Sequence, residues 1–304
     1  MREQVNPHRV TIAITGGEPL LWPDLETVGH ELKRREFPWG IVTNGWALTA
    51  ERFARLLDAG LHAITVSFDG HKEAHDWFRG RRGSYERART ALSLCARQPG
   101  LSFDVVTCVN QRNFGELESL RRELADLGVR RWRLLTVFPK GRAAGNDLLK
   151  LSPGQFRDLL DFIVDTRESG AMRASYGCEG FLGEYEGRAR DSFFFCRAGI
   201  NIGSVLVDGS ISACPSLRGD YVQGNIYRDR FWHIWENRFT VMRDRRWTKS
   251  GACATCPVYA ACQGSGVPAL RTVPIMSLAL SRYSLHHGLL TDFGDDQQRG
   301  CEAR

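Results

Sequence analysis

The sequence predicts an α/β fold, a partial (β/α)6 barrel that lacks its first unit and is followed by a small cysteine-rich domain. Two observations predict the barrel. Apolar, β-rich runs alternate with helical patterns over about the first 170 residues. These runs are apolar throughout, which is typical of parallel strands covered by helices on both faces. A third observation predicts the small domain, because six of the nine cysteines lie between Cys178 and Cys262.

Five strands are predicted in the first part of the chain. They are, in order, Val10–Thr15, Gly40–Thr43, Ala63–Phe68, Phe103–Val109 and Trp132–Val137. Between the strands, apolar residues recur at helical spacing, most clearly at Phe114, Leu117, Leu120, Leu124 and Leu127. Ser152 and Pro153 are typical of a helix N-cap and first turn. Strands with helices between them pair in parallel through right-handed crossovers.

The second part of the chain has many Gly, Cys and aromatic residues and no long helical period. Ile202–Val207 and Ser210–Ala213 flank an Asp-Gly pair, which predicts a hairpin. A short helix is predicted within Phe231–Phe239. We therefore predict three regions: a partial barrel over residues 1–170, a metal-organised domain over 171–266 and a poorly patterned tail over 267–304.

Charge and hydropathy exclude several classes of protein. The chain has 304 residues and a formal net charge of +6, from 41 Lys and Arg against 35 Asp and Glu. This excess is too small and too thinly spread to indicate a nucleic-acid partner. No apolar run approaches the ~20 residues needed to span a bilayer, and the first residues do not resemble a signal peptide. A cytoplasmic protein that binds neither membranes nor nucleic acids is therefore expected.

Small polar residues follow four of the predicted strands. The first strand ends at Gly16-Gly17-Glu18-Pro19, and the next three end near Asn44, at Ser67 to Asp69 and near Asn110. Two adjacent glycines allow the backbone to approach a ligand closely. Because the carboxyl ends of parallel strands share one rim, the four motifs together predict a ligand site there.

The cysteine spacing in the second part predicts bound metal. Cys196 is followed after twelve residues by Gly209 and after four more by Cys214. Later, Cys253 and Cys256 form a C-x-x-C pair, and Cys262 follows after five intervening residues. A C-x-x-C pair brings two thiolates onto one metal ion or cluster, and more distant cysteines complete the coordination shell.

Together these motifs resemble the radical S-adenosylmethionine (SAM) enzymes that carry a C-terminal SPASM domain, over roughly residues 8–266. The resemblance implies SAM and [4Fe–4S] clusters as cofactors. It also implies reductive cleavage of SAM to a 5′-deoxyadenosyl radical, which abstracts hydrogen from a substrate. Peptide or protein substrates are expected, with an electron donor such as flavodoxin or ferredoxin.

The resemblance also implies roles for individual residues. Glu18 and the adjacent backbone would hold the methionine amine of SAM, Ser67 would contact its methionine or ribose part, and Arg82 would pair with its carboxylate. The complete implied SAM-binding set is Gly16, Gly17, Glu18, Pro19, Asn44, Ser67, Asp69 and Arg82. The implied ligands of the first auxiliary cluster are Cys178, Cys196 and Cys214, and those of the second are Cys253, Cys256 and Cys262. Cys95 and Cys108 match no ligand of the family and are expected to be small buried hydrophobic residues.

The sequence departs from the family pattern in two places. It contains no C-x-x-x-C-x-x-C motif, which binds the SAM-cleaving cluster, and it shows one βα unit fewer than the family barrel. Both deficits predict that some tens of residues precede Met1 in the intact protein and that this chain alone is inactive. Many SPASM domains have a cysteine at the position of Gly266, and the only later cysteine is the distant Cys301. The fourth ligand of each auxiliary cluster therefore stays open.

Two other functions are compatible with the sequence. One is a non-catalytic binding module that retains the SAM rim and the iron–sulfur clusters. The other is a zinc protein in which Cys253, Cys256, Cys262 and one further cysteine form a tetrahedral structural site. Iron content and colour after anaerobic purification distinguish the zinc protein from the other two.

Overall fold

A computed structural model describes residues 5–138, 141–177, 180–214 and 221–264, without the side chains of residues 142 and 252. The chain divides into two compact units, residues 1–177 and 178–304. Cys178, Gly266, Cys301 and the predicted tail over 267–304 lie outside the described residues.

The first unit contains a six-stranded parallel sheet, and this confirms the predicted α/β class. Its strands pair in the order of the chain. They are β1 (Ile12–Ile14), β2 (Trp39–Thr43), β3 (Leu61–Ser67), β4 (Ser102–Val109), β5 (Arg131–Thr136) and β6 (Arg173–Tyr176). Sequential order with every pair parallel requires one crossover between each strand and the next, as the helical patterns predict.

Six helices connect these strands. They are α1 (Leu25–Arg34), α2 (Ala50–Asp58), α3 (Lys72–Arg79), α4 (Ser84–Ala96), α5 (Leu117–Asp126) and α6 (Pro153–Glu168). Helix α6 begins as predicted. The Ser152 hydroxyl accepts from the Gln155 N–H, the Gln155 side chain accepts from the Ser152 N–H, and Pro153 occupies the first turn. This capping box satisfies two backbone donors that the helix itself leaves unpaired.

All five predicted strands are present, and the sheet has a sixth strand, β6, that the sequence pattern does not reveal. Strand β6 is only four residues long and reads Arg-Ala-Ser-Tyr, so it has no apolar run to reveal it. Its place in the sheet comes from pairing with β5, where Trp132 lies opposite Ala174. The first unit therefore extends to Gly177, beyond the boundary at residue 170 that the sequence predicts.

The core of the first unit lies between the sheet and its helices. Large side chains there are completely buried, including Trp39, Trp132, Phe68, Leu92 and Leu120. The buried indole N–H group of Trp39 has an acceptor, since Nε1 donates to the carbonyl of Ala59 at 3.2 Å. Satisfied donors of this kind remove most of the cost of burying a tryptophan.

The second unit is built from short elements. They are β7 (Ser204–Val205), β8 (Ser210–Ser212), β9 (Val222–Asn225), α7 (Phe231–Asn237), α8 (Thr240–Arg243) and α9 (Tyr259–Cys262). Strands β7 and β8 form the predicted antiparallel hairpin around Asp208 and Gly209, and β9 pairs with β8. A small core contains Ala198, Ile211, Ala213, Tyr221, Ile234, Phe239 and Met242. The predicted short helix is confirmed as α7, with Ile234 completely buried.

Candidate functional site

The carboxyl ends of the strands β1 to β4 lie at one edge of the sheet, because all neighbouring pairs are parallel. These ends are Ile14, Thr43, Ser67 and Val109. In α/β proteins, this edge is the usual place for ligands. We call the residues that follow these four ends the strand-end rim.

The first part of the rim is the Gly16-Gly17-Glu18 segment. Gly16 and Gly17 have φ values of +87° and +30°, a left-handed conformation that favours glycine. No atom lies within 4 Å of the position that a Cβ would occupy at either residue. The backbone of this segment is therefore open to a ligand.

The Glu18 carboxylate joins the ends of β1 and β2. Its Oε1 accepts hydrogen bonds from the Leu20 N–H at 3.1 Å and from Thr43 Oγ1 at 2.6 Å. Its Oε2 accepts one from the Asn44 N–H at 2.7 Å. A carboxylate has about four acceptor positions, so these bonds leave one position on Oε2 for a further donor.

Asn44 and Thr43 hold the turn that follows β2. The Asn44 Oδ1 atom accepts from the Trp46 N–H at 2.8 Å, and Thr43 Oγ1 accepts from the Gly45 N–H at 3.0 Å. Local side-chain bonds of this kind replace the strand hydrogen bonds that end here. The backbone of Asn44, rather than its side chain, is the group that contacts Glu18.

Asp69 is completely buried at the end of β3 and is held by three groups. Arg79 donates to its Oδ2 through Nε at 2.7 Å, and the Cys108 N–H donates to its Oδ1 at 2.8 Å. The backbone N–H of Asp69 donates to His75 Nδ1 at 3.0 Å. Both carboxylate oxygens therefore bind groups of the protein itself, and in the structure Asp69 links β3 to β4.

His75 is buried among aromatic rings. Its ring lies 5.5 Å from that of Phe68 and 6.3 Å from that of Tyr85, measured between centroids. Because Nδ1 accepts a hydrogen bond, the neutral ring carries its proton on Nε2. Burial lowers the pKa of His75 below its ordinary value, since the charged form would lose its hydration.

Asn113 fastens the end of β4 to the end of β3. Its Nδ2 donates to the carbonyl of Asp69 at 2.8 Å and to that of Cys108 at 3.0 Å. Its Oδ1 accepts from the Asn110 N–H at 2.8 Å. Asn110 and Asn113 are both almost fully buried. The rim is thus a hydrogen-bonded set of turns whose geometry does not require a ligand.

Other predicted residues lie in different surroundings. Ser67 is buried at the end of β3, and Arg82 is exposed in the turn between α3 and α4. Cys95 is buried as expected, and burial raises the pKa of its thiol to about 12. Cys108 is only half-buried, so the expectation that it is a buried hydrophobic residue is wrong. Its neighbours Thr107 and Val109 are completely buried, so Cys108, whose side chain points to the opposite face of the sheet, lies on the more exposed face there.

Sequence reasoning missed Thr43, His75, Arg79 and Asn113. A signal for Arg79 was present, because a buried carboxylate at a strand end requires a donor and Arg79 lies one helix further along the chain. His75 and Asn113 bind backbone atoms, and no sequence pattern used above detects such bonds.

The candidate metal ligands of the second unit fall into two groups. Cys196 and Cys214 pack against its small core. Cys253, Cys256 and Cys262 lie on one short segment that ends in α9, with Cys253 and Cys262 buried. Within the described ranges, no group of three or more His, Cys, Asp or Glu side chains is arranged to hold a metal ion. As a donor set, these thiolate residues fit iron–sulfur clusters.

Comparisons with known proteins identify both units. The model of the Radical SAM superfamily matches residues 1–124, and the model of SPASM, an iron–sulfur cluster-binding domain, matches residues 196–257. The chain therefore contains a domain of the Radical SAM superfamily and a SPASM domain. These two domains imply SAM and [4Fe–4S] clusters as cofactors.

Two relatives with assigned activities resemble this chain over most of its length. The chain is 26% identical to an AdoMet-dependent heme synthase of Methanosarcina barkeri over 275 residues, which cover 83% of this chain and 76% of that protein. It is also 26% identical to the mycofactocin maturase MftC of Mycobacterium tuberculosis over 259 residues, which cover 83% of this chain and 65% of the maturase. Both relatives are named as enzymes, and the resemblance to them supports an enzymatic function for this chain.

Two solved structures share the fold. The crystal structure of Streptococcus suis SuiB has a TM-score of 0.68 at 14% identity, covering 87% of this chain and 64% of SuiB. Native anSMEcpe with bound AdoMet and the Cp18Cys peptide has a TM-score of 0.65 at 18% identity, covering 94% of this chain and 86% of that protein. At these identities the likeness establishes the fold alone.

In the part of the chain that the structure describes, no helix is both long enough and apolar enough to cross a membrane.

Proposed function

We propose that this chain supplies the SAM-binding and auxiliary-cluster sites of a radical SAM enzyme that acts on a peptide or protein. The observation that carries the proposal is the Glu18 carboxylate, held by three donors with one acceptor position left on Oε2. A second support is that the relative MftC is a maturase and that anSMEcpe was solved with a bound peptide.

The residues of the rim would bind and orient SAM. Glu18 Oε2 would accept a hydrogen bond from the ammonium group of its methionine part. The open backbone at Gly16 and Gly17 would allow that part to approach closely, while Pro19 and Asn44 would hold the turns on either side of Glu18. Ser67 and Arg82 would contact the rest of the ligand, as the family resemblance implies, and Asp69 would keep the ends of β3 and β4 in place.

The cysteines of the second unit would hold the auxiliary clusters. Cys178, Cys196 and Cys214 would serve one cluster, and Cys253, Cys256 and Cys262 the other. When bound, SAM and its own cluster supply the 5′-deoxyadenosyl radical that takes hydrogen from the substrate. A cytoplasmic location with a flavodoxin or ferredoxin as electron donor completes the proposal.

Equilibrium dialysis with labelled SAM tests the role of Glu18. Weak binding by the wild-type chain is expected, and Glu18→Gln should reduce it about tenfold or more, because an amide presents N–H groups where the ammonium needs an acceptor. Glu31→Gln is the matched control, since Glu31 is exposed on α1. Equal binding by all three proteins, with equal melting temperatures, would contradict the assignment.

Formation of 5′-deoxyadenosine tests the whole reaction. The sequence has no C-x-x-x-C-x-x-C motif, so we expect the 304-residue chain to release none under strong reductant. An extended chain that carries this motif should release it. Turnover by the short chain equal to that of the extended chain would contradict the requirement for the motif.

A tetrapyrrole is the second candidate substrate, because the match to a heme synthase covers more of that protein than the match to MftC covers of the maturase. Product analysis with the extended chain distinguishes the two. A mass change in a supplied iron porphyrin would support the tetrapyrrole, and a mass change in a supplied peptide would support the maturase.

A further inference from the structure

Three exposed arginines lie beside the strand-end rim without an acidic partner. They are Arg81, Arg87 and Arg112, and we call them the arginine face. None of them forms an ion pair with a carboxylate within the described residues, whereas their neighbours Arg79 and Arg89 bind Asp69 and Glu123. Exposed positive charges without acidic partners favour an anionic ligand.

Two tryptophans orient these arginines. The Arg81 guanidinium lies 3.3 Å from the ring centroid of Trp46, and that of Arg87 lies 5.7 Å from the same ring. The Arg112 guanidinium lies 4.3 Å from the ring of Trp77. A guanidinium stacked on an aromatic ring keeps its N–H edges directed away from it, which suits bidentate binding of carboxylates.

The arginine face adjoins the candidate SAM site through the backbone. Trp46 lies two residues after Asn44, whose N–H binds Glu18, and the Asn44 side chain holds the Trp46 N–H. On the β4 side, the Arg112 N–H donates to Asn110 Oδ1 at 3.0 Å. A ligand on this face would therefore lie next to the rim that holds SAM.

We propose that the arginine face binds an acidic segment of the peptide substrate and so positions its reacting residue at the rim. The inference depends on the proposed function in one respect only, which is that the substrate is a peptide. A carboxylate partner fits better than a nucleic acid, because the Arg81 guanidinium already covers one face of the Trp46 ring. Binding of single strands relies on free aromatic faces for base stacking.

Fluorescence anisotropy with a labelled peptide of alternating Glu and Gly tests the proposal. The wild-type chain should bind it with a strong dependence on salt, and should bind the same peptide with Gln in place of Glu at least tenfold more weakly. The double variant Arg81→Gln/Arg112→Gln should lose about three- to tenfold in affinity for the Glu peptide. Arg55→Gln is the matched control, since Arg55 is exposed on α2 and paired with Glu51.

Three outcomes would overturn the proposal: equal affinity for the Glu and Gln peptides, no effect of the double variant, or tighter binding of oligothymidylate than of the Glu peptide. Arg81→Lys/Arg112→Lys keeps the charge and loses the stacked fork, so its affinity should lie between those of the wild type and the Gln variant. SAM binding by the same samples separates the two hypotheses. If the wild-type chain binds the Glu peptide but not SAM, the proposed function is contradicted. If it binds SAM but not the Glu peptide, the arginine face is contradicted.

Discussion

The two units of this protein hold their candidate sites together in different ways. In the parallel-sheet unit, Glu18, Asp69 and Asn113 connect neighbouring strand ends through direct hydrogen bonds. In the cysteine-rich unit, the candidate ligands Cys214 and Cys256 lie on different segments of the chain. Hydrogen bonds between protein atoms therefore hold the first site in place, whereas we expect the second site to be completed by the metal that its thiolates bind.

The two units also differ in the size of their apolar cores. The first unit buries large side chains from its strands and from its helices, including Trp39, Leu92 and Leu134. The described core of the second unit consists of seven residues around Ile211 and Phe239. Small domains with so little apolar burial usually rely on metals or disulfides.

Removal of the clusters is the strongest test of this comparison. Anaerobic reconstitution should give a brown, iron-containing protein, and chelation should then open the second unit while the first stays folded. Binding of metal to thiolates can contribute roughly 10 kcal/mol to folding of a small domain. Hydrogen exchange should show loss of protection in α7 and none in β3 and β4. A colourless protein with stoichiometric zinc would instead support the structural zinc site.

Phe239→Ala tests how much the small core contributes. Phe239 is completely buried, so the variant should lose about 3–5 kcal/mol in the free energy of unfolding of the second unit. Tyr227→Ala is the control, because Tyr227 is 78% exposed. Denaturation followed by hydrogen exchange assigns the loss to one unit. A loss below about 1 kcal/mol would mean that this core is not the main support.

Asp69→Asn tests the preformed site. The change removes a buried charge opposite Arg79 and should cost about 3 kcal/mol in the first unit, because the guanidinium loses its ionised partner. Asp58→Asn is the control, since the Asp58 side chain is 79% exposed. Urea denaturation measures both variants. An unchanged midpoint for Asp69→Asn would show that the rim does not depend on this pair.

The free energy of unfolding of the first unit should depend on pH through His75. The pKa of His75 is lower in the folded chain than in the unfolded chain, so the unfolded state binds the proton more tightly. The stability of the first unit should therefore be complete above pH ~6.5 and fall as the pH drops below it, by at most ~1.4 kcal/mol per pH unit. His75→Gln should flatten this slope. The same slope in wild type and variant would assign the acid sensitivity to another group.

The sequence by itself determined the α/β class, five of the six strands, the hairpin of the second unit and the motifs of both domains. These features depend on local patterns: apolar runs, helical spacing, an Asp-Gly turn and cysteine spacing. The N-cap at Ser152 was equally readable, because the hydrogen bond from the Gln155 N–H to its hydroxyl lies within four residues.

Only the tertiary structure decided the rest. Strand β6 exists because β5 offers it an unpaired edge, and Arg79 reaches Asp69 because α3 folds back over the end of β3. His75 binds the Asp69 N–H, and Arg81 stacks on Trp46, across turns whose geometry no local pattern specifies. Such contacts form between residues that the folded backbone brings together, whereas a sequence pattern shows only periodicity along the chain.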